Sequence, residues 1–219
     1  MDWNAFWSPI RLSLQVTLVA SLLVTILGLA AAWRMSRRPF RGKSLLETAI
    51  MLPLVLPPTV VGFLLLILLG RKSGLGRAIE WLFDAPVVFS WGAAVIASVV
   101  VSFPLVYQTM KVGFASVDRD LEDAARSFGA SEWQVFRLIT LPLTFRSLLS
   151  AYLLGFARSL GEFGATLMIA GNIPGKTQTI PTAIYVAVDA GNMTMAWAWA
   201  GAMIFISFLM LLLVGHRQS

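Results

Sequence analysis

Arg158 and Glu162 are the residues of this 219-residue chain whose types and spacing most plainly suggest chemistry. Both sit inside the apolar run Leu148 to Ile169, four positions apart, which on a helix places them on one face. An unpaired Arg at a bilayer centre costs about 2.5 to 3.5 kcal/mol on insertion scales, so the two are expected to face protein and each other. They line or gate a path for an ion, relay a proton in an ion-driven carrier, or form a buried structural pair. A second constellation is LPLVLPPTVVG, residues 52 to 62, where Pro53, Pro57 and Pro58 remove backbone donors and are expected to break or bend a helix near mid-membrane. Backbone groups freed at that depth need other helices or a water-filled path, so the segment is either pore-lining or a packing kink. The turn-rich loop GNIPGKTQTIP, Gly171 to Pro181, offers Thr, Asn and Lys that could hold an oxyanion or simply be solvated, outside the membrane or partly re-entrant. Other chemistries are excluded. The sequence has no Cys, no G-x4-G-K-[ST] phosphate loop and no HExxH, and its one His, His216, is read as a solvated terminal residue, so neither ATP hydrolysis, metal binding nor a nucleophilic triad is expected.

The elements that must position these groups follow from composition. With 58% hydrophobic and 13% charged residues the chain is too apolar for a soluble domain of its length and is read as a membrane protein. The net charge of +6 does not call for nucleic acid, because the bases lie beside apolar runs where membrane orientation accounts for them. A single all-α transmembrane domain over residues 1–219 is expected, a helix bundle with five spans at about 12–33, 45–69, 91–110, 148–169 and 194–214. The opening MDWNAFWSP is read as an interfacial anchor and the first span as retained. Trp81 and Phe83, in an amphipathic patch between the second and third spans, are placed at the outer interface or against an outside partner. Eleven bases then fall in cytoplasmic segments, among them Arg34, Arg37, Arg38, Arg41, Lys43 and Arg217, against five outside (Arg11, Arg71, Lys72, Arg77 and Lys176). This asymmetry sets the N-terminus outside and the C-terminus in the cytoplasm.

The longest charge-rich interval lies between the third and fourth spans, about residues 116–142. In EDAARSFGASEWQVFRLITLP, residues 122–142, the spacing of Leu121, Ala124, Ala125 and Phe128 predicts a short helix with Asp120, Asp123, Arg126 and Ser127 on its other faces. Gly129 can take positive φ and should stop it. Ser131 and Gln134 read as a capping box starting a second helix with Trp133, Phe136 and Ile139, and a second stop is expected at Leu141 and Pro142. A shallow apolar face ringed by charge, on a membrane protein, is most simply a docking surface for a soluble partner.

Asp123-Ala124-Ala125, Gly129, Ile139 and Leu141-Pro142 resemble the EAA signature of ABC importer permeases, E-A-A-x3-G-x9-I-x-L-P, with every spacing kept and Asp in place of the first Glu. The stretches Leu52 to Gly76 and Ala157 to Tyr185 resemble molybdate permease subunits of such importers, and sulfate permeases share much of the GEFG and NIPGKT pattern. The resemblance implies a type I importer fold in the inner membrane of a prokaryote. It also implies a cytoplasmic coupling role for these seven residues, and uptake of molybdate, tungstate or sulfate. Its expected partners are two copies of a separate ATPase subunit, which would use the ATP and Mg, an external binding protein, and a second copy of this chain, with no cofactor on the chain itself.

Overall fold

The computed structural model describes residues 3–37 and 40–215; Arg38, His216 and Arg217 lie outside them. The regular elements among the described residues are helices: α1 (Trp3–Arg37), α2 (Lys43–Val55), α3 (Pro58–Leu69), α4 (Gly74–Phe83), α5 (Trp91–Ala115), α6 (Arg119–Ser127), α7 (Glu132–Val135), a π-turn (Phe136–Thr140), α8 (Leu141–Leu160), α9 (Gly164–Ala170), α10 (Ile180–Asp189) and α11 (Met193–Gly215). Four stretches, Trp3–Arg37, Trp91–Ala115, Glu132–Leu160 and Met193–Leu212, are each long and apolar enough to cross a membrane, and α2 with α3 makes up to a fifth.

The centre of the bundle is α1 and α8 against α5. On α1, Ser13, Thr17, Ser21, Val24, Gly28, Ala32 and Met35 are buried at spacings of three and four, the stripe a packed helix requires. Val106 of α5 wedges between the other two. A Cβ on Gly28 would come within 2.9 Å of Val106 Cγ1, and one on Gly155 of α8 within 2.7 Å of Val106 Cγ2, so small residues let the backbones approach. Toward the other end α10 joins α11 to α1. The Ser13 hydroxyl accepts from the Ile180 N–H at 2.7 Å, and Trp199 Nε1 donates to the Phe6 carbonyl at 3.0 Å.

Several sequence expectations are corrected. The first helix begins at Trp3, well before residue 12, and at 1.5 Å per residue its 35 residues run about 52 Å. Pro53 stays inside α2 without breaking it. The break belongs to Pro57 and Pro58: Leu56 and Pro57, each preceding a proline, are both extended (ψ 142° and 136°), Pro58 opens α3, and the two halves meet at 116°, far more than a kink. No stop occurs at Leu141 and Pro142. Instead α7, the π-turn and α8 form one helix, with the Leu141 N–H reaching back five residues to the Phe136 carbonyl. That widened turn gives the proline ring room where a regular turn would clash. The fourth apolar stretch is itself interrupted at residues 161–163, and the loop after Ala170 is followed by helix α10, which the turn-rich sequence did not suggest.

Candidate functional site

α6 starts where the Asp118 side chain accepts from the Asp120 N–H, with Asp120 and Glu122 in its first turn and Arg126 in its last, charges that suit the helix dipole. It ends as the sequence predicts. Gly129 has φ 87°, its N–H bonds to the Arg126 carbonyl, and the Ala130 N–H bonds to the Ala125 carbonyl, a Schellman closure. The expected capping box opens α7: the Ser131 hydroxyl accepts from the Gln134 N–H, and the Gln134 side chain accepts from the Ser131 N–H. The helix, glycine, helix element is therefore real, and its apolar side faces outward. Phe128 is 92% exposed, Trp133 62% and Leu121 49%. Asp123, Ala124 and Gly129 are exposed beside them, and Ala125 is half-buried. Ile139 and Leu141 are half-buried further along, Leu141 packing beside Phe114 and Phe136, and Pro142 is exposed in the first turn of α8.

Two arginines and two glutamates lock this element in a closed ring. Glu122 Oε1 accepts from Arg37 Nη2 and Oε2 from Arg126 Nη2; Glu132 Oε2 accepts from Arg37 Nη1 and Oε1 from Arg126 Nε. Arg126 also donates to Asp123. The hydrogen bond to Glu132, with that to Asp123 adding, raises Arg126 above the ordinary guanidinium range, so its fork stays charged. The ring borders a cavity of about 660 Å³ that Trp33, Arg34, Lys43, Lys111 and Arg119 also line. Sequence reasoning counted Arg37 only among orienting bases, and it singled out neither Glu122 nor Glu132.

The second candidate site forms differently from the expectation. α8 ends at Leu160, so Glu162 does not share a helix face with Arg158 but sits in the break that follows. The pair still meets, Arg158 Nη1 donating to Glu162 Oε2 at 2.7 Å. The other carboxylate oxygen accepts from the Ala165 N–H at 2.8 Å and so caps α9. Glu162 is buried; the Arg158 side chain is 30% exposed and keeps a face open. The two helix breaks lie together, since a Cβ on Gly164 would be 3.2 Å from the Thr59 nitrogen and 3.3 Å from Pro58 Cβ. Pro58 thus lies against Gly164, two residues after Glu162, whereas Pro53, on α2, lies a turn before Pro57. No group of three or more His, Asp or Glu among the described residues is arranged to hold a metal.

The chain is 59% identical over 217 residues to YvgM of Bacillus subtilis (strain 168), which bears the provisional name of a molybdenum transport system permease protein, covering 99% of this chain and 95% of that one. It is 47% identical over 184 residues to the molybdenum transport system permease protein ModB of Escherichia coli (strain K12), covering 84% and 80%. In fold it matches a bacterial ABC transporter involved in import of the acidic polysaccharide alginate, with TM-score 0.75 and 17% identity over 100% of this chain and 79% of that one. It also matches an inward-facing MetNI methionine ABC transporter, with TM-score 0.74 and 14% identity over 99% and 97%. Residues 24–217 match the family model described as the inner membrane component of binding-protein-dependent transport systems, and the chain belongs to that family of multi-pass inner-membrane proteins.

Proposed function

We propose that this chain is the membrane-spanning, non-catalytic subunit of an ATP-driven importer that passes molybdate, or a similar tetrahedral oxyanion, from an external binding protein to the cytoplasm. The observation that carries the reading is the outward ridge of Leu121, Phe128 and Trp133, framed by charge and held by the Arg37 and Arg126 ring. A ridge of this kind suits the cleft of a soluble partner, which we take to be a separate ATPase using ATP and Mg. Asp123, Ala124, Ala125 and Gly129 then form the contact, while Ile139, Leu141 and Pro142 carry its motion into α8. A pair of these chains about a two-fold axis would bind an ATPase pair, with N-termini outside and C-termini inside. Closure of the ATPases would re-tilt the attached helices and open the path alternately to either side. The open face of Arg158, beside the two helix breaks, offers a cation to a passing anion.

The names of the sequence relatives support molybdate as substrate, with tungstate beside it, and the GEFG and NIPGKT pattern shared with sulfate permeases keeps sulfate as an alternative. The test is uptake of radiolabelled molybdate into vesicles holding the chain, its ATPase and its binding protein. ATP-dependent uptake that excess tungstate abolishes and equimolar sulfate leaves intact is expected; uptake that proceeds without ATP, or sulfate as the preferred competitor, would contradict it.

A further inference from the structure

α6 buries none of its residues, so packing does not hold it in place. What fixes it to the bundle is polar and converges on one side chain. Arg37, at the end of α1, donates through Nη2 to Glu122 of α6 and, at 3.1 Å, to the Thr140 hydroxyl in the π-turn, and through Nη1 at 2.9 Å to Glu132, the first residue of α7. Thr140 in turn donates to the same Glu122 oxygen. One guanidinium thus ties the first span to three separate parts of the element. It is itself seated: Trp33, one turn earlier, lies under it at 5.7 Å and packs on Phe136 at 4.9 Å between ring centres. Arg126 closes the ring but spans only α6 and α7. The two arginines therefore divide the work, Arg126 setting the internal angle of the element and Arg37 joining that element to α1.

We propose that Arg37 is a positioning residue for energy coupling: it makes α1 move with the α6–α7 element, so that a push on that element reaches the first span as well as α8, to which α7 is joined by the continuous helix. The proposal rests on the reading of α6–α7 as the ATPase contact. A planar two-armed donor is needed, because a Lys ammonium is a single point that cannot serve both carboxylates and the hydroxyl in this geometry.

The experiment uses the reconstituted complex of chain, ATPase and binding protein, with Arg37→Gln and Arg37→Lys variants. Arg37→Gln is expected to retain the ATPase at the wild-type ratio and to hydrolyse ATP, while molybdate moved per ATP falls about tenfold, within the usual range of coupling between sites; Arg37→Lys should fall between the two. Because the chain has no Cys, spin labels at Ala30→Cys and Asp120→Cys, placed on one copy of the chain in the complex, report on α1 and on the end of α6 opposite Phe128 alone. One narrow distance is expected with and without ATP in the wild-type background, and a broad distribution in Arg37→Gln. Unchanged transport per ATP in Arg37→Gln, or a loss that only tracks membrane abundance while the distance stays narrow, would overturn the proposal. Failure of the wild-type complex to retain an ATPase or to show ATP-dependent uptake would instead overturn the function on which it rests.

Discussion

Phe128 separates a docking surface from a folding surface, because a side chain 92% exposed contributes almost nothing to the stability of its own chain. Phe128→Ala should change the thermal midpoint of the purified chain by no more than a surface substitution does, about 0.5 kcal/mol in stability, and yet weaken ATPase binding in a titration by about tenfold or more. Unaltered binding would remove Phe128 from the contact. Gly129 is the companion case. A Cβ there meets nothing within 4 Å, so the cost of a side chain is the left-handed backbone alone, about 1 to 2 kcal/mol. Gly129→Asp should therefore leave membrane abundance near normal while placing a charge on the ridge and stopping uptake; normal uptake at normal abundance would count against the contact. The turn at Gly129 and the Ser131 cap were legible in the sequence because their partners lie within a few residues. Arg37 was not, since its three partners are 85, 95 and 103 positions away and no local pattern marks it.

Among the elements, what the sequence foretold was where helices are disturbed, and what it missed was how each disturbance is absorbed. Proline chemistry marks both Pro57-Pro58 and Pro142. The first pair does break a helix, because two successive residues precede prolines and both become extended, whereas Pro142 is taken up by a π-turn whose Thr140 also serves the Arg37 cluster. At Gly161 to Phe163 the opposite happens: a run that reads as continuous helix opens, because the Glu162 carboxylate offers the start of α9 an acceptor as well as offering Arg158 an ion pair. The two breaks are held together by α3 against α9. There a Cβ on Gly62 would fall 2.7 Å from Ala165 Cα and 2.8 Å from its carbonyl oxygen, backbone atoms that cannot swing aside. Gly62→Ala should cost about 1 to 3 kcal/mol, read as a lower thermal midpoint in detergent, while Gly201→Ala on α11, where a Cβ meets nothing within 4 Å, should cost nothing. Equal effects from both would mean that α3 and α9 are not in close register.

For the whole molecule, the bases that follow the first span lie at the same end of the bundle as the α6–α7 element, since Arg37 bonds to Glu122 and Glu132 and Arg34 and Lys43 line the same cavity, and the positive-inside rule puts that end in the cytoplasm as an expectation. The all-helical class and the broken second stretch could be read from apolar run length and proline spacing alone. The order of packing, in which α1, α5 and α8 all meet one another, could not, because it depends on small residues such as Gly28 and Gly155 meeting Val106 from different parts of the chain. The central claim is that the α6–α7 element faces the cytoplasm and seats an ATPase. It is tested most directly by a single cysteine at Ser127, in a chain that otherwise has none, labelled with an impermeant maleimide from each side of sealed vesicles. Labelling from the cytoplasmic side only, and protection from it when the ATPase subunit is bound, is the result this account predicts. Labelling from the outer side, or cytoplasmic labelling that the bound ATPase leaves unchanged, would contradict it.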